Sequence, residues 1–90
     1  MEIDLHLPAC RSLKAKRAVV RPVVEGVRSR FRVSVAEVGD QDLWQRANIG
    51  VAVVGATTSH IVDVMDEIER WVWAQPGVEV VSMDRTWMEE

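Results

Sequence analysis

Two stretches of the chain carry residue types from which a binding surface or a reactive centre could be built. In the first, Lys14, Arg17, Arg21, Arg28 and Arg32 are separated by 3, 4, 7 and 4 residues, which stacks them on one face of a helix. Lys16 falls in the same run, and Glu25 is the only acid within it. A row of ammonium and guanidinium groups on a rigid element suits a phosphate backbone. Lys14, Lys16, Arg17, Arg21 and Arg28 are therefore the expected nucleic-acid contacts. The competing reading is a solvated helix face, partly satisfied by the acidic second helix. The second stretch, GDQDLWQRA over residues 39–47, links two β-branched runs where a plain hairpin needs two to five polar residues. It keeps Leu43 and Trp44 among Asp40, Asp42 and Arg46. Asp42, Leu43, Trp44, Gln45 and Arg46 are expected to contact a partner. The competing reading is structural, with Leu43 packing back onto the sheet's end while Gln41 and Gln45 close the turn; Trp44 is the residue expected to be left unsatisfied.

Other chemistry has little support. His6 and His60 lie far apart in the sequence, and no Ser or Cys sits in a recognisable nucleophile context. There is no P-loop and no GxGxxG. Asp40 and Asp42 with Glu37 could hold a hard cation, but acids at a turn more often cap it. Residues 55–59, GATTS, could hold an anion at a helix N-terminus, although capping alone explains them. No enzyme, metal, cofactor or small-molecule substrate is expected; a residual enzymatic reading would use Asp40, Asp42 or His60. Cys10, the single cysteine, excludes a disulfide framework and a Cys-based zinc cage.

The elements that must position these groups follow from hydrophobic periodicity. IDLHL, residues 3–7, alternates as a half-buried strand. Ser12 is an N-cap for a helix over residues 13–31, whose Val20, Val24, Val27 and Phe31 recur on one face. Pro22 inside it predicts a kink, or a short first segment followed by a main helix from about residue 21. Residues 32–39 and 47–55 read as strands, the second apolar enough to be central. Thr57, Thr58 and Ser59 offer caps for a second helix that buries Ile61, Val64, Met65, Ile68 and Val72. Pro76-Gly77 stops it, and residues 78–83 form the last strand, with an extension to Trp87 open.

The order β-α-β-β-α-β favours an α+β, ferredoxin-like sandwich over residues 1–90: a four-stranded antiparallel sheet with two helices on one face. Ile3, Leu5, Leu7, Ile49, Val51 and Val53 then face the helices. Glu2, Asp4, His6, Ser34, Ala36, Val38, Gly50, Ala52 and Val54 face the open side. Such a face invites a second layer, most simply another copy of the chain. The central strands carry no aromatic, so base stacking on the sheet is not expected. Any RNA contact should come from the helix or the hairpin. Trp71 and Trp73, two apart near the end of the second helix, cannot both face the core.

Bulk composition agrees with a folded, water-exposed chain. Of 90 residues, 48% are hydrophobic and 28% charged. No stretch is long and apolar enough to predict a membrane span, and the N-terminus does not read as a signal peptide, so a cytoplasmic setting is expected. The net charge of −3 conceals an asymmetry: residues 11–32 carry +7 and the remainder −10. A chain so divided can present a basic patch despite an acidic isoelectric point.

RSLKAKRAVVRPVV, VSVAEVGDQDLWQRA and IGVAVV together resemble the YlxP-like family, small uncharacterised bacterial proteins classed as a domain of unknown function. The matching positions are Ser12, Leu13, Lys14, Lys16 and Arg17, then Glu37, Gly39, Gln41, Asp42, Leu43, Gln45 and Arg46. The resemblance implies a ferredoxin-like fold and carries no established activity. Genes of the family often lie near those for translation initiation factor two and a ribosome-binding factor. It therefore implies, by association, a non-enzymatic accessory role in translation or ribosome assembly, with RNA or a ribosomal subunit as partner. The alternative expectation is a protein-interaction module, either a homodimer through the open sheet face or a hetero-association through the Leu43-Trp44 hairpin. Relatives usually begin several residues earlier, whereas this chain starts almost within its first strand.

Overall fold

The computed structural model of the chain describes residues 1–88. Its elements run β1 (Glu2–His6), α1 (Leu13–Phe31), β2 (Ser34–Gly39), β3 (Arg46–Ala52), α2 (Thr58–Trp73) and β4 (Glu79–Asp84). The strands pair antiparallel in the order β2-β3-β1-β4. This is the ferredoxin-like α+β arrangement, with both helices on one face of the sheet.

The period-two alternation of β1 and β3 builds the core. Ile3, Leu5, Leu7, Ala47, Ile49 and Val51 are all buried beneath the helices, while their neighbours point to the open face. From α1 the core receives Val20, Val23 and Val27, and from α2 Met65, Ile68 and Val72. Val24 and Phe31, expected on the inward stripe, are only half-buried at its margin. Ile61 and Val64 are likewise half-buried. Cys10 is buried as a small hydrophobe.

Both helices begin where a side-chain oxygen can serve their first free amides. Ser12 accepts from the Ala15 amide at 3.0 Å, and Thr57 from that of His60 at 3.2 Å. The chain leaves α1 at Arg32 in a left-handed conformation (φ 53°), with Arg32 N–H bonded to Arg28 O. That cap delays β2 to Ser34. Pro22 neither splits nor ends α1, which is continuous from Leu13 to Phe31. It is exposed, so the Ala18 carbonyl left without its usual donor looks into water.

β3 and β4 end differently from expectation. β3 stops at Ala52, leaving Val54 almost fully exposed beyond it. β4 stops at Asp84 and does not reach Trp87. Both edge strands are interrupted by a register shift, at Val38 in β2 and at Val81 in β4. Such bulges spoil an edge as a template for further strands.

Candidate nucleic-acid interface

Lys16 departs most from the sequence reading. It stands four residues before Val20, on the row that continues to Val23 and Val27, and this row faces the core. The side chain is 2% exposed, so it cannot be a phosphate contact. Its Nζ lies 2.9 Å from the buried Oε1 of Glu37 and donates to the Asp40 carbonyl at 2.6 Å. The β2 bulge and the left-handed Asp40 (φ 58°) turn these acceptors toward α1. A buried ammonium with a carboxylate and a carbonyl to satisfy it is tolerable; alone it would not be.

Arg28 is also partly withdrawn. It ion-pairs with Glu25 on its own helix, and its Nη2 donates to the Val35 carbonyl of β2 at 2.9 Å. The row it belongs to therefore flanks the free edge of β2. Lys14, Arg17 and Arg21 lie higher on that row, exposed, with no carboxylate in ion-pair reach among the described residues. With Ala18 and Pro22 they line a shallow depression of about 470 Å³. Two further cations are occupied: Arg30 stacks over the Trp71 ring at 5.4 Å, and Arg85 binds Asp66 and Glu69 at 2.8 Å each. Arg32, Arg46 and Arg70 have no carboxylate in ion-pair reach among the described residues but do not join that depression. The hydrogen bond it donates to Asp66 is the main reason the Arg85 guanidinium holds its proton above the ordinary arginine range. Burial opposes this, and Glu69 adds to it.

The β2–β3 hairpin is tied down at its root. Leu43 N–H donates to Asp40 O at 3.0 Å, closing the turn, and Gln41 Nε2 reaches Glu37 O at 3.2 Å. Gln45 Nε2 bonds the carbonyls of Pro8 (3.4 Å) and Cys10 (3.2 Å), while Leu7 N–H bonds Gln45 O at 2.9 Å. Gln41 thus braces the turn, whereas Gln45 does not close it and instead ties the hairpin to the loop before α1. Leu43 does not pack back: it is 50% exposed, and Trp44 is 52% exposed. Asp42, Leu43, Trp44, Gln45 and Arg46 together shape a depression of about 430 Å³ at the tip. The hairpin and the loop leading into α1 therefore occupy the same end of the molecule as Lys14 and Arg17.

The open sheet face is different in character. A trough of about 640 Å³ runs over Ser34, Ala36, Gly50 and Ala52, with Glu2 and Asp84 on its flank. Those two carboxylates are direct cross-strand partners, an unfavourable like-charge pairing. Asp4 accepts from Asn48 Nδ2 at 2.7 Å and from Ser82 Oγ at 3.1 Å, and His6 Nδ1 lies 3.4 Å from Glu79. Among the described residues no group of three or more His, Cys, Asp or Glu is arranged to hold a metal ion. No helix among the described residues is long and apolar enough to cross a membrane.

Sequence reasoning missed Gly26, which shapes the helical layer. An ideal Cβ on Gly26 would fall 2.6 Å from Trp71 Cζ2 and closer still to Cη2, so only glycine lets Trp71 lie across α1. Trp71 also meets Phe31 edge-on, centroids 6.4 Å apart. Trp73, two residues on, is 60% exposed.

Residues 1–85 match the family described as "Protein of unknown function (DUF503)". The chain is similar to the "Uncharacterized protein YlxP" of Bacillus subtilis (strain 168), with 32% identity over 76 residues. That match covers 84% of this chain and 83% of the other.

Proposed function

The chain belongs to the DUF503 family, and from that premise we propose that it is a non-enzymatic accessory protein of translation or ribosome assembly. It contacts RNA through Lys14, Arg17 and Arg21. The observation that carries this reading is the contrast among its cations. Lys16, Arg28 and Arg85 are held by internal carboxylates and Arg30 by an aromatic face. Lys14, Arg17 and Arg21 line one exposed depression with no acid to neutralise them among the described residues. Uncompensated cations in a row gain most from a polyanion, because binding releases its condensed counterions.

A homodimer through the open sheet face is less well supported. Glu2, Asp4, Glu79 and Asp84 all lie on the β1–β4 half of that face, and pairing two copies would bring eight carboxylates into one contact.

The test is RNA and ribosomal-subunit binding at several salt concentrations. Affinity is expected to fall linearly in log–log form, with a slope near −0.7 per phosphate contacted. Reversing Lys14, Arg17 and Arg21 to glutamate should abolish it. Binding that survives this triple reversal refutes the reading.

A further inference from the structure

Resting on the RNA reading above, we infer that the polymer bound is single-stranded, and that Trp44 is the platform on which one of its bases stacks.

The hairpin's own contacts leave its tryptophan unused. Lys16, Glu37, Gln41 and Gln45 fix the backbone of the root through bonds to Asp40, Glu37, Pro8 and Cys10. None of those bonds uses the indole of Trp44, which remains 52% exposed. An aromatic ring held out on an ordered backbone loses little conformational freedom when something stacks on it. Disordered tips offer no such platform.

The second observation is which groups share its end of the molecule. Lys16 anchors the hairpin root, and its sequence neighbours Lys14 and Arg17 project outward from the same turns of α1. Gln45 fastens the other side of the hairpin to Pro8 and Cys10, just before α1. The phosphate-binding row begins there and reaches Arg21, about 10 Å along the helix. Arg46 adds a guanidinium to the depression that Trp44 lines, against the single carboxylate of Asp42. An aromatic plane beside a short track of cations is the combination that binds single strands without reading sequence.

A duplex keeps its base faces stacked on one another and could meet only the cations. The sheet gives no alternative platform: its open face is lined by Ser34, Ala36, Gly50 and Ala52, with Glu2 and Asp84 repelling phosphate. A bound strand is therefore directed to the hairpin and the outer side of α1.

The experiment is an anisotropy titration of the full chain with end-labelled uridine oligomers of about a dozen nucleotides and with a duplex of equal length. The unmodified chain should prefer the single strand. Trp44→Ala should weaken single-strand binding by about 5- to 100-fold and remove that preference, while leaving the salt slope unchanged. Trp44→Phe, which keeps a ring, should retain most of the affinity. Equal affinity for strand and duplex, or a Trp44→Ala variant that still prefers the strand, overturns the inference. In both cases loss of binding on reversal of Lys14, Arg17 and Arg21 would leave the broader RNA reading standing. If the unmodified chain binds neither nucleic acid, both fall. Salt-insensitive capture of a protein through Trp44, with no single-strand preference, would reassign the platform to a protein partner.

Discussion

The seam between α1 and α2 and the tip of the β2–β3 hairpin each present a tryptophan beside arginine. In the seam, Trp71 lies across Gly26, meets Phe31 edge-on and carries Arg30 over its ring. Each group there is satisfied by another group of the same chain. At the hairpin the internal contacts are polar and stop at the root, so Leu43 and Trp44 stay half in water. The difference separates side chains the fold requires from those it only displays. The same division runs through the cations of α1, where Lys16 is spent inside and Lys14, Arg17 and Arg21 are not.

The strongest way to break this comparison is at Lys16. Lys16→Met keeps the length of the side chain but leaves Glu37 and the Asp40 carbonyl without their cation. Removing one partner of a buried pair typically costs ~3–5 kcal/mol. Because Glu37 keeps some access to water, a loss near the lower bound, about 3 kcal/mol, is expected in urea unfolding. Amide exchange across residues 39–45 should accelerate in the same variant, because the hairpin root depends on that ammonium. Unchanged exchange would show that the hairpin orders itself without α1.

Gly26→Ala comes next. Alanine is the better helix former by ~0.5–1 kcal/mol, yet its methyl would collide with the Trp71 ring. Overpacking typically costs ~1–3 kcal/mol, so a net loss of about 1–2 kcal/mol is expected. The double variant with Trp71→Leu should lose less than the two singles combined, since the clash disappears with the ring. Additive losses would mean that Trp71 and Gly26 do not depend on each other.

Much of the frame could be read from the chain because it rests on local rules. Ser12 and Thr57 cap their helices, and the alternation of Ile3, Leu5 and Leu7 is visible in sequence. Lys16 was not legible for a specific reason. Its charge placed it with the basic row, although its four-residue spacing to Val20 puts it on the buried one. What rescues a lysine there is Glu37, 21 residues away, and no local pattern announces that pairing. Gly26 is similar: its necessity is set by a ring on the other helix. The exposure of Leu43 was hidden because the sequence shows an apolar residue at a turn but not that Gln45 ties the hairpin to Pro8 and Cys10, fixing the root without it.

Arg85 gives a smaller effect and a calibration for surface cations. Arg85→Ala removes two partly exposed ion pairs to α2, for which ~0.2–1 kcal/mol each is usual, decreasing with salt. The guanidinium's proton is held more tightly in the folded chain than in the unfolded one. Its contribution is therefore fully present below the ordinary arginine range and is lost only as strong alkali titrates the folded group. Thermal midpoints of the chain and the variant should converge as salt rises. A salt-independent gap would instead point to lost packing of the arginine stem.

The smallest expected change in stability belongs to Trp44→Ala, and the comparison turns on it. A half-exposed side chain that makes none of the bonds holding its hairpin should alter unfolding by no more than ~0.5 kcal/mol when removed. Urea unfolding beside Gly26→Ala gives the contrast directly, one variant perturbing a satisfied tryptophan and the other deleting a displayed one. The exposed indole is costly to keep in water without a contact to justify it, so near-zero cost on deletion is what a surface reserved for binding requires. If Trp44→Ala instead destabilised the chain as much as Gly26→Ala, the hairpin tryptophan would be a structural residue like Trp71. Its exposure would then no longer mark a place where anything docks.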